Sequence, residues 1–201
     1  MVPTALRPTP GARRYGRDLE DAIFEAVFEE LAQVGYARLS FDSVAKRAGT
    51  GKAAIYRRWR NKSDLVSDAF VAKHAERPPF VSTGDLRADL IAFFTGIFLS
   101  QTDATGSMAF RGLVGEADRF PEMFASVRER TWNRDMESLK NLLLEAAERG
   151  DLDRENLLPE VLDAIPLILS GRSLLDMGPT KRDIVRNVDH VLLPLLCAVS
   201  Q

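Results

Sequence analysis

The apolar positions of this chain recur at steps of three and four along most of its length, the spacing that gathers side chains on one face of an α-helix. Leu19, Ile23, Ala26, Val27, Leu31 and Val34 make the first such stripe, and Gly35 stops it at a helix C-terminal position. Ser40 then caps a short helix over 41–48 that turns Val44, Ala45 and Ala48 inward. Gly49-Thr50-Gly51 breaks the pattern, and a second short helix over 52–59 follows, with Ile55 and Trp59 on its inner side. Asn61 caps a fourth helix carrying Leu65, Val66, Ala69 and Phe70. After Pro78-Pro79 the spacing predicts helices over 85–101, 107–117, 121–149, 159–175 and 181–199, with Pro166 and Pro194 expected to kink or interrupt the last two. No alternating stretch of strand length occurs, so the expected fold is all-α, with about nine helices.

Composition narrows the chemistry. The chain has 201 residues, 45% of them apolar and 28% charged, which is enough to bury a core without covalent staples. One cysteine, Cys197, excludes an internal disulfide and any multi-cysteine metal centre. His74 and His190 lie too far apart for a local metal-ligand spacing, so neither a metal nor a cofactor is expected. No apolar leader or membrane-length run is visible, which makes a cytoplasmic location the expectation. No nucleophile–base pairing, Gly-rich phosphate loop or carboxylate pair marks an enzyme.

Charge changes the picture more. The net charge of −2 hides a gradient, with 14 basic against 10 acidic residues over 1–77 and 13 against 19 over 78–201. The sharpest window, 38–62, holds Arg38, Lys46, Arg47, Lys52, Arg57, Arg58, Arg60 and Lys62 against the single acid Asp42. Such a concentration repels itself unless a polyanion answers it. Residues 1–16, rich in proline and arginine, read as a flexible basic arm.

Two short helices joined by a tight glycine turn inside a basic window form a helix-turn-helix signature. The second helix has small residues, Ala53 and Ala54, where it must approach base edges. Lys52, Tyr56, Arg57 and Arg58 supply donors for bases and phosphates, and Lys46 and Arg47 flank them on the preceding helix. Residues 39–66 closely resemble the DNA-binding region of TetR-family transcriptional regulators. The resemblance rests on Ala48-Gly49, Lys52, Ala53-Ala54, Ile55-Tyr56, Trp59 and Lys62, and extends through the first helix to cover about 17–70. It implies phosphate contacts by Tyr56 and Lys62, and places Lys52, Ala53 and Ala54 at or near base edges. Three positions depart from the family pattern: Gly51 stands where a serine or threonine cap is common, Arg60 where proline is frequent, and Ala54 where threonine is common.

The resemblance implies that the second half forms an effector pocket and pairs with a second copy. The expected organisation is an arm over 1–16, a DNA-binding domain over 17–62, a linking helix over 63–77, and a ligand-binding and dimerisation domain over 78–201. Candidate pocket residues are Phe93, Phe94, Phe98, Met108, Phe110, Phe124, Trp132 and Met136, with Thr95-Gly96 leaving space in one aromatic face. Arg111, Glu116 and Arg128 are open to two readings, polar anchors of that pocket or surface residues, and the surface reading is the expectation. The last two helices carry more apolar surface than a small domain needs, and Ile165, Ile168, Leu169, Val188, Val191, Leu192 and Leu195 are the candidate dimer contacts. The functional expectation is a homodimeric repressor on a palindromic duplex, released by a small apolar or aromatic ligand, with the fourth helix carrying the coupling. The competing expectation is an all-α adaptor that binds a protein partner and whose basic window is incidental.

Overall fold

The computed structural model describes residues 16–78, 80–98, 104–174 and 180–197; the 1–15 part of the basic arm lies outside them. The described residues are helical, without strands, in the order α1 (Arg17–Arg38), α2 (Phe41–Arg47), α3 (Lys52–Tyr56), α4 (Lys62–Ala75), α5 (Leu86–Phe98), α6 (Ala104–Gly115), α7 (Pro121–Arg130), α8 (Trp132–Arg149), α9 (Pro159–Leu174), α10 (Lys181–Asn187) and α11 (Leu193–Cys197). No described helix is long and apolar enough to cross a membrane.

The caps read from the sequence are formed. The Ser40 hydroxyl accepts from the Ser43 N–H, and Asn61 accepts from the Asp64 N–H. Gly150 ends α8 in the left-handed region, at φ 85°. Gly35, at φ 75°, kinks α1 rather than ending it, and a last turn carries on to Arg38.

Two expectations about helix continuity are corrected. The single helix over 121–149 is two, meeting at Thr131, whose hydroxyl donates to the Val127 carbonyl at 2.7 Å and whose φ of −119° departs from the regular helical value. Pro166 does not interrupt α9, which runs through it; losing one N–H removes one rung and leaves the rest of the ladder. Pro194 does act. It cannot donate to the carbonyl four residues back, and just before it the chain widens into a π turn over Val188–Leu192, where the Leu193 N–H reaches back to the Val188 carbonyl.

The packing separates into two cores. One joins α1–α4 to α6 and α7 through Ile23, Val27, Leu31, Ile55, Leu65, Ala109, Leu113, Met123 and Val127. The other joins α5, α8, α9, α10 and α11 through Leu90, Phe93, Phe94, Leu139, Leu143, Ile165, Ile184, Val188 and Leu192. The first core thus spans both sides of Pro78, with α6 and α7 packed against the N-terminal head, α1–α4. Of the described helix pairs, α1 and α6 share the most extensive contact. It is close enough that a Cβ on Gly112 would stand 3.3 Å from the Leu31 carbonyl oxygen. Helix α4 makes a second junction: Ser67 Oγ bonds Ser126 Oγ at 2.9 Å, and His74 and Arg77 both reach Asp135 of α8. Head and body are thus coupled through α1 as well as through α4.

Candidate nucleic-acid interface

The helix-turn-helix is built around a turn that only glycine makes cheaply. Gly49 takes φ 64°, and the Thr50 N–H returns to the Ala45 carbonyl at 3.0 Å, which turns the chain sharply out of α2. Gly51 is the N-cap of α3, with no side-chain bond, so neither Thr50 nor any hydroxyl caps the recognition helix. Ile55 and Trp59 lock its inner side. Both are buried, Trp59 meets Phe24 edge to face at 5.8 Å, and its indole N–H donates to Asp68. Although α3 is assigned only to Tyr56, the Trp59 N–H still bonds the Ile55 carbonyl at 3.0 Å, so the helical course extends close to the expected end.

The outer face carries the predicted donors. Tyr56 is 60% exposed, with its ring held edge-on by Phe41 at 4.9 Å. Lys46, Lys52, Ala53, Arg57 and Arg58 are exposed, while Ala54 is half-buried and rests against the head core. Lys52 is ion-paired with Asp42, which orients it from α2, and Arg58 donates to the Ala54 carbonyl at 3.0 Å.

Two predicted contact residues, the exposed Arg47 and the half-buried Lys62, are engaged by partners within the chain. The Arg47 guanidinium donates to Glu30 at 2.8 Å, Glu29 at 3.0 Å and Gln33 at 2.7 Å, which ties α2 to α1; the Glu30 hydrogen bond raises its already high pKa. Lys62 donates to the backbone carbonyls of Tyr36 at 2.8 Å and Ala37 at 3.3 Å. Burial there lowers the Lys62 pKa, with the nearby Glu116 opposing the shift.

The candidate pocket residues do not gather in one place. Phe93, Phe94, Phe98 and Met136 line the second core together with Phe80, whereas Phe110 and Phe124 pack on the first and Met108 is exposed; Trp132 is half-buried at the start of α8. Within the second group, Phe94 and Phe98 stack at 6.2 Å and Phe93 meets Phe94 edge to face. The Thr95 hydroxyl oxygen is buried with no hydrogen-bond partner in the structure, and a Cβ on neighbouring Gly96 would meet nothing within 4 Å.

The candidate dimer residues also divide. Ile165, Val188 and Leu192 are fully buried within this chain's own core, and Ile168 is half-buried beside them. They serve internal packing, with α5 lying against α10 and the π turn and all three side chains in one core with Leu139 and Leu143 of α8. Val191 and Leu195, four residues apart and each 38% exposed, remain on the outside together with Leu158 and Leu167. The Leu169 side chain lies outside the described residues. Sequence reasoning missed Tyr36, Asp68, Glu116 and Phe120 as parts of the head's wiring. Their partners stand up to 79 residues away, and no local spacing announces such a contact.

Comparison with known proteins agrees with this geometry. A family model described as bacterial regulatory proteins, tetR family, matches residues 23–69, and one described as a tetracyclin repressor-like C-terminal domain matches 80–191. The chain is 30% identical over 195 residues to the uncharacterized HTH-type transcriptional regulator Rv1556 of Mycobacterium tuberculosis, covering 96% of this chain and 94% of that one. It is 31% identical over 186 residues to the DNA-binding transcriptional repressor TetR of Mycobacteroides abscessus, covering 90% and 95%. Among solved structures, the TetR family transcription regulator SCO0332 superposes with a TM-score of 0.61 at 25% identity, over 90% of this chain and all of that one. The Bacillus subtilis regulator FadR, solved in complex with stearoyl-CoA, shares the fold with a TM-score of 0.63 at 18% identity, covering 89% and 98%.

Proposed function

The chain belongs to the TetR family of transcriptional regulators, and on that premise we propose that two copies of it bind a palindromic operator as a repressor that a small apolar or aromatic effector releases. The family is one of DNA-binding regulators rather than enzymes. The observation that carries the reading is the split of α3 into an inner side locked by Ile55 and Trp59 and an outer side that offers Lys52, Ala53, Tyr56 and Arg57. Lys52, with Asp42 behind it, and Ala53 face base edges in the major groove. Tyr56, Lys46, Arg57 and Arg58 hold phosphates on either side. Two such helices one turn of DNA apart, about 34–36 Å, match a twofold operator.

Val191 and Leu195 are the centre of the face through which the second copy docks. The effector enters among Phe93, Phe94, Phe98 and Met136, where the unpartnered Thr95 hydroxyl offers a polar anchor. That FadR, with the same fold, is seen with stearoyl-CoA supports an elongated apolar ligand here. The effector acts by binding one of two head arrangements more tightly than the other, since equal affinity for both shifts nothing. The regulator works in the cytoplasm, where the DNA is.

Selection of bound fragments from a random duplex pool tests the reading. It predicts an inverted repeat, affinity that falls steeply with salt, and release of the selected duplex by a fatty acyl-CoA such as stearoyl-CoA or by a molecule co-purified with the protein. Protein that remains a single chain at micromolar concentration and ignores every duplex at low ionic strength overturns it.

A further inference from the structure

We propose that Lys62 and Glu116 together clasp the end of α1 and so fix the angle at which the head presents its recognition helix, making both positioning residues for DNA binding and Lys62 no phosphate ligand. The inference rests on the reading that the chain binds duplex DNA.

The clasp begins with the backbone. Gly35, at φ 75° and ψ 171°, breaks the α1 ladder, so the peptide groups that follow it need other partners. They find them in two distant elements. The Glu116 carboxylate, just past the end of α6, accepts the Ala37 N–H at 3.0 Å, while the Lys62 ammonium, at the start of α4, donates to the Tyr36 and Ala37 carbonyls. One peptide unit is therefore gripped from both sides by opposite charges. A Cβ on Gly35 would stand 3.3 Å from a Glu116 oxygen, so the glycine also makes room for the carboxylate.

The geometry leaves Lys62 little to offer DNA. Its ammonium lies 4.3 Å from the centre of the Tyr36 ring and 5.4 Å from that of Phe120, and the two rings meet edge to face at 4.9 Å. An ammonium has three donors; two are spent on carbonyls, and two aromatic rings lie beside it. An incoming phosphate would have to strip these partners and approach Glu116.

The clasp is placed to act on the recognition helix. Ala37 lies three residues before Ser40, the N-cap of α2, and Lys62 lies three residues after Trp59, the anchor behind α3. A shift at the end of α6 is thus delivered to both helices of the motif at once, through a hydrogen bond rather than through the length of α4.

The test compares Lys62→Met, Glu116→Ala, the double variant and the milder Glu116→Gln. Each is measured over a range of salt against one duplex that the wild-type protein selects from a random pool. The single changes weaken binding by roughly fivefold or more with the salt slope unchanged. The double variant loses no more than the larger single loss, because both break one device. Glu116→Gln, which keeps an acceptor for the Ala37 N–H, stays nearer wild type. Exchange of the Ala37 amide hydrogen, slow in the wild type and fast in Glu116→Ala, reads the clasp without DNA. A slope that falls by about one per bound protomer in Lys62→Met makes Lys62 a phosphate ligand and overturns the proposal. Wild-type affinity in Glu116→Ala, additive losses, or an Ala37 amide indifferent to Glu116 do the same. Should Lys62→Met fail to fold, Lys62→Arg decides: a phosphate ligand keeps its affinity with the charge retained, whereas the clasp loses it. A wild-type protein that selects no duplex defeats the DNA-binding reading instead.

Discussion

The indole N–H of Trp59 donates to Asp68 at 2.8 Å, which ties the exit of the recognition helix to α4. Asp68 also accepts from Arg130 of α7 at 2.7 Å, so one carboxylate serves the motif and the body together. Trp59→Phe keeps an aromatic ring against Phe24 but loses the donor and part of the buried ring, and a cost of about 1–3 kcal/mol is expected in urea unfolding. Trp59→Ala opens the core beneath α3 and costs about 3–5 kcal/mol, with loss of duplex binding.

Arg47 and Lys46 are neighbours with opposite duties. Arg47 holds Glu29, Glu30 and Gln33 of α1, and Glu30 is buried, so Arg47→Ala leaves a carboxylate short of its partner and destabilises the head by about 1–2 kcal/mol. It lowers the melting temperature and leaves the salt slope of DNA binding as it was. Lys46 is exposed, and Lys46→Ala reverses the pattern, with a shallower slope and unchanged melting.

Asp89 makes stability depend on acid. Burial alone pushes its carboxyl up, but hydrogen bonds from the Ser82 hydroxyl, the Thr83 N–H and hydroxyl, and the Gly84 N–H outweigh it and hold the carboxyl below its ordinary value. A folded-state value below the unfolded one means stabilisation that is complete above pH about 4 and fades as pH falls through the lower folded value. Asp89→Asn is expected to be less stable near neutral pH by about 1–2 kcal/mol. Its acid limb in a stability–pH titration is flatter than that of the wild type.

The exposed pair on the last helical segment separates assembly from folding. Val191→Glu or Leu195→Glu places a charge on the outer face and is expected to give a folded single chain in sedimentation, against the proposed dimer for the wild type at the same concentration. Val188→Glu or Leu192→Glu places the same charge in the internal core and unfolds the protein, which circular dichroism reads directly.

Local pattern by itself determined the helices, their caps at Ser40, Asn61 and Gly150, the tight turn at Gly49, and the inner and outer sides of the recognition helix. Each of these depends on residues within a few positions of one another, and a helical period or a cap hydrogen bond needs nothing further. The tertiary structure decided which charges face outward. Arg47 and Lys62 look like the other cations of their window, yet a carboxylate cluster and a pair of carbonyls on α1 claim them. It divided six of the eight aromatic and methionine candidates between two cores, left Met108 exposed and Trp132 half-buried, and turned Ile165, Val188 and Leu192 inward while Val191 and Leu195 stayed out. Periodicity assigns a side chain to a face of its own helix, but which distant helix covers that face is set by packing between segments far apart in the chain. Glu116 is the sharpest case, an acid read as surface that becomes a joint of the molecule because α6 ends beside the Ala37 N–H, two residues past the kink at Gly35.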